Sequence, residues 1–314
     1  MENPINPNDN PYVGPRTFNP DEAHLFFGRE EEAQTLLSLV TINRLVLFYA
    51  PSGAGKSSLI NTRLIPNLRD KGFEILPVGR VSGQPIDQKD KTNVFGYNLM
   101  LRLEQSGREP DYLADLELPK FLAGLLSDEA TEGAYRYEEP PISRSSNTPN
   151  QTDEDWPPRA LIIDQFEEVL TTHLDRWEQR TEFFKQLAES LHEDPFLWLV
   201  LVMRSDYVAG LDRYSSFFPD HLRTRYPMEL MGHDEALEAI KQPLLKQKRF
   251  HFSDDAANKL IKNLSRIRVE QYGPPSTETT YISGEFVEPV QLQLVCYQLW
   301  GNLARREEEK LASS

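Results

Sequence analysis

One short run of residues has the types and spacing to hold a phosphate: Ala50, Pro51, Ser52, Gly53, Ala54, Gly55, Lys56 and Ser57. Two glycines separated by one residue let the backbone turn so that several N–H groups point inward at phosphate oxygens. Lys56 follows the second glycine in the register that lets an ammonium pair with β- and γ-phosphates, and the Ser57 hydroxyl suits a Mg²⁺ ligand. A helix opening near Lys56 and running on through Ser58 adds the positive end of its dipole. Ala50 stands where this Walker A pattern usually has glycine, but that position ends the preceding strand.

A second group is acidic. Leu161, Ile162 and Ile163 lead into Asp164, followed by Gln165, Phe166, Glu167 and Glu168. A carboxylate directly after buried apolar residues is costly unless paired, and Mg²⁺ is a fitting partner. Glu167 or Glu168 is then placed to polarise an attacking water. As alternatives, Asp164 caps a helix and Glu168 lies on a solvated helix face. Arg204 ends another apolar run and is a candidate γ-phosphate contact; the competing reading is a surface ion pair.

The elements that would position these groups alternate. Arg44–Ala50, Phe73–Val81, Ala160–Asp164, Phe196–Met203 and, more weakly, Arg225–Leu230 read as buried strands. Near-continuous apolar runs of this kind suit a parallel sheet covered on both faces. Helical periodicity fills the gaps, as in Trp177–Leu191, where Trp177, Phe184, Leu187 and Leu191 form one stripe. The fold class is α/β, a P-loop parallel sheet. Residues 127–158 carry eight acidic and two basic residues with five prolines, which reads as a disordered excursion. From about Gly232 strand signals fade. Asp234–Ile240, Asp254–Leu264 and Pro289–Leu303 read as an all-helical second domain, with a loop at Val269–Ser283. The expected division is a lead segment over 1–20, an α/β domain over 21–231, a helical domain over 232–303 and a charged tail over 304–314.

The net charge of −15 over 314 residues argues against broad binding to nucleic acid or anionic membrane. The single cysteine, Cys296, forms no internal disulfide and reads as buried packing. No window reaches the roughly 18 apolar residues of a membrane helix. A soluble cytoplasmic protein is expected.

Beyond these motifs, Pro11–Phe18, Leu25–Glu30, Asn93–Phe95, Glu235–Pro243 and Val287–Leu294 with Leu299 and Trp300 resemble bacterial STAND NTPases of the novel, repeat-linked type. The resemblance spans roughly residues 11–302. It implies the additional-strand class of P-loop sheet and ATP in place of GTP. It implies an adenine site lined by Phe27, Gly28 and Arg29, and a helical lid whose Pro243 approaches the base. It also implies a switch, resting with ADP and activated by ATP, in which γ-phosphate contact shifts the lid and slow hydrolysis resets the state. Partners would be separate effector or sensor proteins, or a nucleotide-dependent homo-oligomer. Three other readings fit the same loop: a DNA-associated AAA-like ATPase, a small-metabolite kinase, and a nucleotide-binding scaffold that does not hydrolyse.

Overall fold

The computed structural model describes residues 10–83, 92–128, 134–139, 157–245, 252–269 and 280–312. In chain order the elements are α1 (Glu30–Ile42), β1 (Leu45–Ala50), α2 (Lys56–Leu59), α3 (Ile65–Asp70), β2 (Glu74–Ile75), α4 (Val94–Leu103) and α5 (Leu118–Gly124). Then come β3 (Leu125–Asp128), β4 (Ala134–Tyr137), β5 (Arg159–Ile163), α6 (Glu168–Thr171), α7 (Gln179–Glu193), β6 (Leu197–Arg204) and β7 (Arg225–Pro227). The chain continues through α8 (His233–Leu245), α9 (Asp254–Leu264), β8 (Arg266–Val269), β9 (Thr280–Ser283) and α10 (Pro289–Ala312). It divides into two compact units. The sheet unit is Thr35–Ala50 with Asn67–Pro227; the loop unit is Met1–Gln34, Pro51–Pro66 and Met228–Ser314.

In the sheet unit the strand order is β2-β5-β6-β1-β7, every neighbouring pair parallel. The strand preceding the phosphate loop, β1, is thus separated by β6 from β5, which leads into Asp164. That inserted strand defines the additional-strand arrangement. Register is level across the middle: Leu47 pairs with Leu201, and Leu201 with Ile163. The inner strands are buried on both faces, which is why they are apolar without alternation. Phe95, Phe121, Phe166, Phe183 and Phe184 pack the core beside them. Asn93 caps α4 by accepting from the Phe95 and Gly96 N–H groups at 3.1 Å.

Three expectations change here. The strand expected over residues 73–81 is only β2, because Pro77 has no N–H to donate; the chain regains the sheet at a single bridge between Gly79 and Ile163. Trp177 precedes α7 and is 56% exposed, and Phe183 takes its place in the buried stripe. Most of the acidic excursion lies outside the described residues, but β3 and β4 pair as an antiparallel hairpin that overlaps it. Tyr135 and Tyr137 alternate inward there, and the Tyr135 hydroxyl donates to the Ile75 carbonyl at 3.1 Å.

The loop unit has its own core, built from Tyr12, Met231, Ala239, Ile240, Ile261, Val287, Leu292, Cys296 and Trp300 with their neighbours. Tyr12 donates its hydroxyl to the Ile240 carbonyl. Ser253 caps α9 through the Ala256 N–H at 3.2 Å. The helical expectation holds for α8, α9 and α10, and α10 runs on to Ala312 through the expected tail. A β8–β9 hairpin is added, with Ile267 opposite Ile282; its intervening segment lies outside the described residues.

Candidate functional site

The phosphate loop leaves β1 at Pro51 and closes into α2 at Lys56. Gly53 and Gly55 both take the left-handed backbone, φ +75° and +95°, where a side chain would be strained. Gly55 is the residue before the helix, so the turn ends at the helix start. Helical structure continues through a π turn at Ile60–Leu64 into α3. Within the loop, the Pro51 carbonyl accepts from the Lys56 ammonium at 3.1 Å and from the Ala54 N–H at 3.4 Å. Ala50 is fully buried as the last residue of β1, and Ser52 is exposed. The Ser58 hydroxyl accepts from the Phe18 N–H at 3.2 Å, which ties the N-terminal segment to the loop.

Arg29 braces this turn from behind. It is only 3% exposed. Its guanidinium donates to the carbonyls of Ala54 at 3.2 Å and Glu229 at 2.9 Å, and pairs with Glu32. Gly28 (φ +76°) packs so tightly on the first turn of α8 that an added Cβ would collide with the Glu235 carbonyl. Arg29, which the family resemblance places at an adenine site, is engaged here with the loop's backbone.

A small cleft opens beside the loop. The N-terminal segment lines it with Gly14, Arg16, Phe18, Phe26 and Phe27, the loop with Gly53, Gly55 and Ser58. Met231, Ala239, Pro289, Val290, Leu292 and Gln293 close the other side. Of the expected base-site residues, Phe27 lines the cleft. Pro243 is buried inside α8, one turn past Ala239, and does not line it. A carboxylate also stands at the loop: a Cβ on Gly53 would lie 2.5 Å from Glu288 Oε1. The cleft is thus a mostly apolar slot that begins at the left-handed phosphate-loop glycines.

In the sheet unit, Asp164 follows β5 and is 5% exposed. Its Oδ1 accepts from the Gln165 N–H at 2.9 Å, and Arg80 approaches its Oδ2 at 3.8 Å. Gln165 has φ +55°, an uncommon conformation for a residue with a side chain and one that recurs at functional sites. Glu167 accepts from the Arg204 N–H at 3.2 Å, and Glu168 accepts from the Ser82 hydroxyl. The Arg204 guanidinium pairs with Asp206 at 2.5 Å and stacks on Tyr207, the ion-pair alternative of the sequence reading. Asp164, Glu167, Glu168 and Arg204 therefore gather at the carboxyl ends of β5 and β6, where α/β sheets present ligands. Among the described residues no group of three or more His, Cys, Asp or Glu forms a metal cage.

Sequence reasoning missed Arg80, Glu288 and most of the cleft wall: Gly14, Arg16, Met231, Ala239 and Gln293. Gly14, Arg16, Ala239, Glu288 and Gln293 lie inside stretches that carry the family resemblance, but nothing local marks them as facing the cleft or the loop.

A family model described as novel STAND NTPase 1 matches residues 11–282. Among solved structures, the chain is similar to the Walker-type ATPase PABY2304 of Pyrococcus abyssi. The identity is 13% and the TM-score 0.52, over 94% of this chain and 74% of that one. It is also similar to the ORC2 protein of Aeropyrum pernix, solved in ADPNP and ADP complexes, with 13% identity and a TM-score of 0.39 over 69% of this chain and 51% of that one. No curated protein matches. The first likeness shows a shared fold, a parallel sheet with helices.

Proposed function

The chain belongs to the novel STAND NTPase 1 family, and from that footing we propose that it is an ATP/Mg²⁺-dependent switch with slow hydrolysis. One observation carries the reading: two left-handed glycines turn the phosphate loop at the mouth of a mostly apolar cleft. In this reading the loop's N–H groups and Lys56 hold the phosphates, and Phe27 and its neighbours hold the base. The Ser57 hydroxyl and the Asp164 carboxylate are the protein's donors to Mg²⁺, which when bound neutralises phosphate charge. Glu167 or Glu168 orients water once its present hydrogen bond is released. Arg204 exchanges Asp206 for the γ-phosphate.

A switch needs different affinities for its two nucleotide states, so ADP-bound and ATP-bound chains differ in conformation. Signalling through separate effector or sensor proteins, or through a homo-oligomer, follows from the family resemblance. Among the described residues no helix is long and apolar enough to cross a membrane, and we place the protein in the cytoplasm.

Nucleotide binding by the wild-type chain and by Lys56→Ala tests the core of the proposal; undiminished ADP and ATP binding by Lys56→Ala would overturn it. Loss of Mg²⁺ dependence in Ser57→Ala and in Asp164→Asn tests the metal roles separately. A second reading, a nucleotide-binding scaffold without turnover, draws support from both Glu167 and Glu168 being engaged by protein groups. Phosphate release by the wild type, lost in the Glu167→Gln/Glu168→Gln double variant, decides for hydrolysis. Solution mass with ADP and with a nonhydrolysable ATP analogue tests the oligomer.

A further inference from the structure

The phosphate loop does not say which base is bound, because its contacts are to phosphates alone. The cleft beside it does. Its walls are mostly apolar, from Phe18, Phe26, Phe27, Met231, Ala239 and Val290. Two long polar side chains reach it, Arg16 and Gln293. Arg16 is already committed, donating to both carboxylate oxygens of Glu22 and to the Thr17 carbonyl at 3.1 Å. Gln293 is not: its Oε1 is buried yet has no hydrogen-bond partner among the described residues. A buried amide oxygen without a donor costs free energy, and native proteins rarely leave one unless a ligand or ordered water completes it. Gln293 opens the second turn of α10, one residue past Leu292, which anchors the helix in the core of the loop unit.

We propose that Gln293 reads the base of the bound nucleotide and selects adenine over guanine. The inference rests on the nucleotide-site reading above and adds the residue that reads the base. A glutamine amide offers one acceptor and two donors on neighbouring atoms. The pairing edge of adenine offers the complement: the 6-amino group donates and the adjacent ring nitrogen accepts. One amide therefore satisfies that edge completely. Guanine presents three polar groups in a row, the 6-oxo, the N1–H and the 2-amino. A single amide matches two, leaving the third against apolar wall with water excluded, which is unfavourable. Since the amide can turn end for end, selectivity comes from the polar group left over and not from which end of the amide points inward.

The test uses the full chain and three diphosphates: ADP, GDP, and the purine riboside analogue of ADP that lacks only the 6-amino group. Affinities are measured by titration calorimetry for wild type, Gln293→Met, Gln293→Ala and Lys56→Ala. The wild type should prefer ADP to the desamino analogue and to GDP by about tenfold or more, as expected of a site built to pair with a ligand N–H. In Gln293→Met, close in volume and unable to pair, ADP should weaken about tenfold, and its advantage over the desamino analogue should fall to about twofold or less. Melting of the ligand-free variants checks that they fold, and Gln293→Ala repeats the measurement should Gln293→Met fail to do so.

Gln293→Met keeping the wild-type ratio of ADP to desamino analogue overturns base reading by Gln293. So does a wild type that binds the two equally. If binding depends on Lys56 while the ratio ignores Gln293, only this inference fails. If binding ignores Lys56, the site reading itself fails.

Discussion

Replacing Glu288 by glutamine removes one negative charge from the face of the phosphate loop and keeps the side chain's shape. Its Oε1 lies 2.5 Å from the place a Cβ on Gly53 would occupy, and its Oε2 accepts from the Gln291 amide. An anion seated on the loop's N–H groups therefore comes close to this carboxylate. At about 5 Å two unit charges repel by about 0.8 kcal/mol in bulk water and about 3 kcal/mol at an effective dielectric of 20. Glu288 is partly exposed, so the lower end applies, about 1 kcal/mol, or roughly fivefold in affinity. Glu288→Gln should bind ADP about fivefold more tightly at low salt. It should gain more for ATP, which carries an extra charge, and lose most of the gain near 0.3 M salt, where screening shortens the reach of surface charge. Calorimetry at two salt concentrations reads all three effects. Unchanged affinity at low salt would show that the carboxylate swings clear of the phosphates. Weaker affinity would show that it binds the ligand or its metal.

Other consequences are open to direct measurement. Arg29→Ala removes a buried cation from two loop-bracing carbonyls and strands Glu32; it should cost roughly 3–5 kcal/mol in urea denaturation, and a loss under about 1 kcal/mol would count against the brace. Burial pushes the Cys296 thiol up to about 12, so a thiol reagent at pH 8 should leave the native chain unmodified and label it fully once unfolded. For His173, burial first and then Arg176 hold the ring's pKa below its ordinary 6.5. The unfolded chain takes up the proton first, so this contribution to stability is complete above 6.5 and is lost as pH falls through the lower folded value. His173→Asn tolerates the φ of +46° at this site and should flatten the decline between about pH 7 and 5.

What the sequence revealed and hid follows from how local each signal is. The phosphate loop is read from eight adjacent residues, and β1, β5 and β6 from apolar runs that only a doubly covered strand tolerates. Asp164 stood out because a carboxylate directly after Leu161, Ile162 and Ile163 is unusual. The β3–β4 hairpin was masked by acidic residues, although the alternation Ala134, Tyr135, Arg136, Tyr137 is the strand period. Pro77 cut β2 short by removing a donor that hydropathy does not register. The cleft resisted reading for a different reason. Gly14 and Gln293 are 279 positions apart in the sequence, and no window holds both. Arg29 lies in a stretch marked by the resemblance, while its hydrogen bond to the Ala54 carbonyl emerges only from the folded chain.

The loop unit is assembled from three separated stretches, Met1–Gln34, Pro51–Pro66 and Met228–Ser314. On the ribosome the phosphate-loop turn therefore emerges well before Met231, Ala239 and Gln293. At the usual pace of about 5–20 residues per second, the interval between Ser58 and Gln293 is on the order of ten seconds or more. In the proposed reading, a nascent chain can touch a triphosphate at the loop but cannot enclose it until α10 has been made. Trimming the gene just upstream of α10 would accordingly yield a polypeptide with every residue of its best-known motif and half a wall around it.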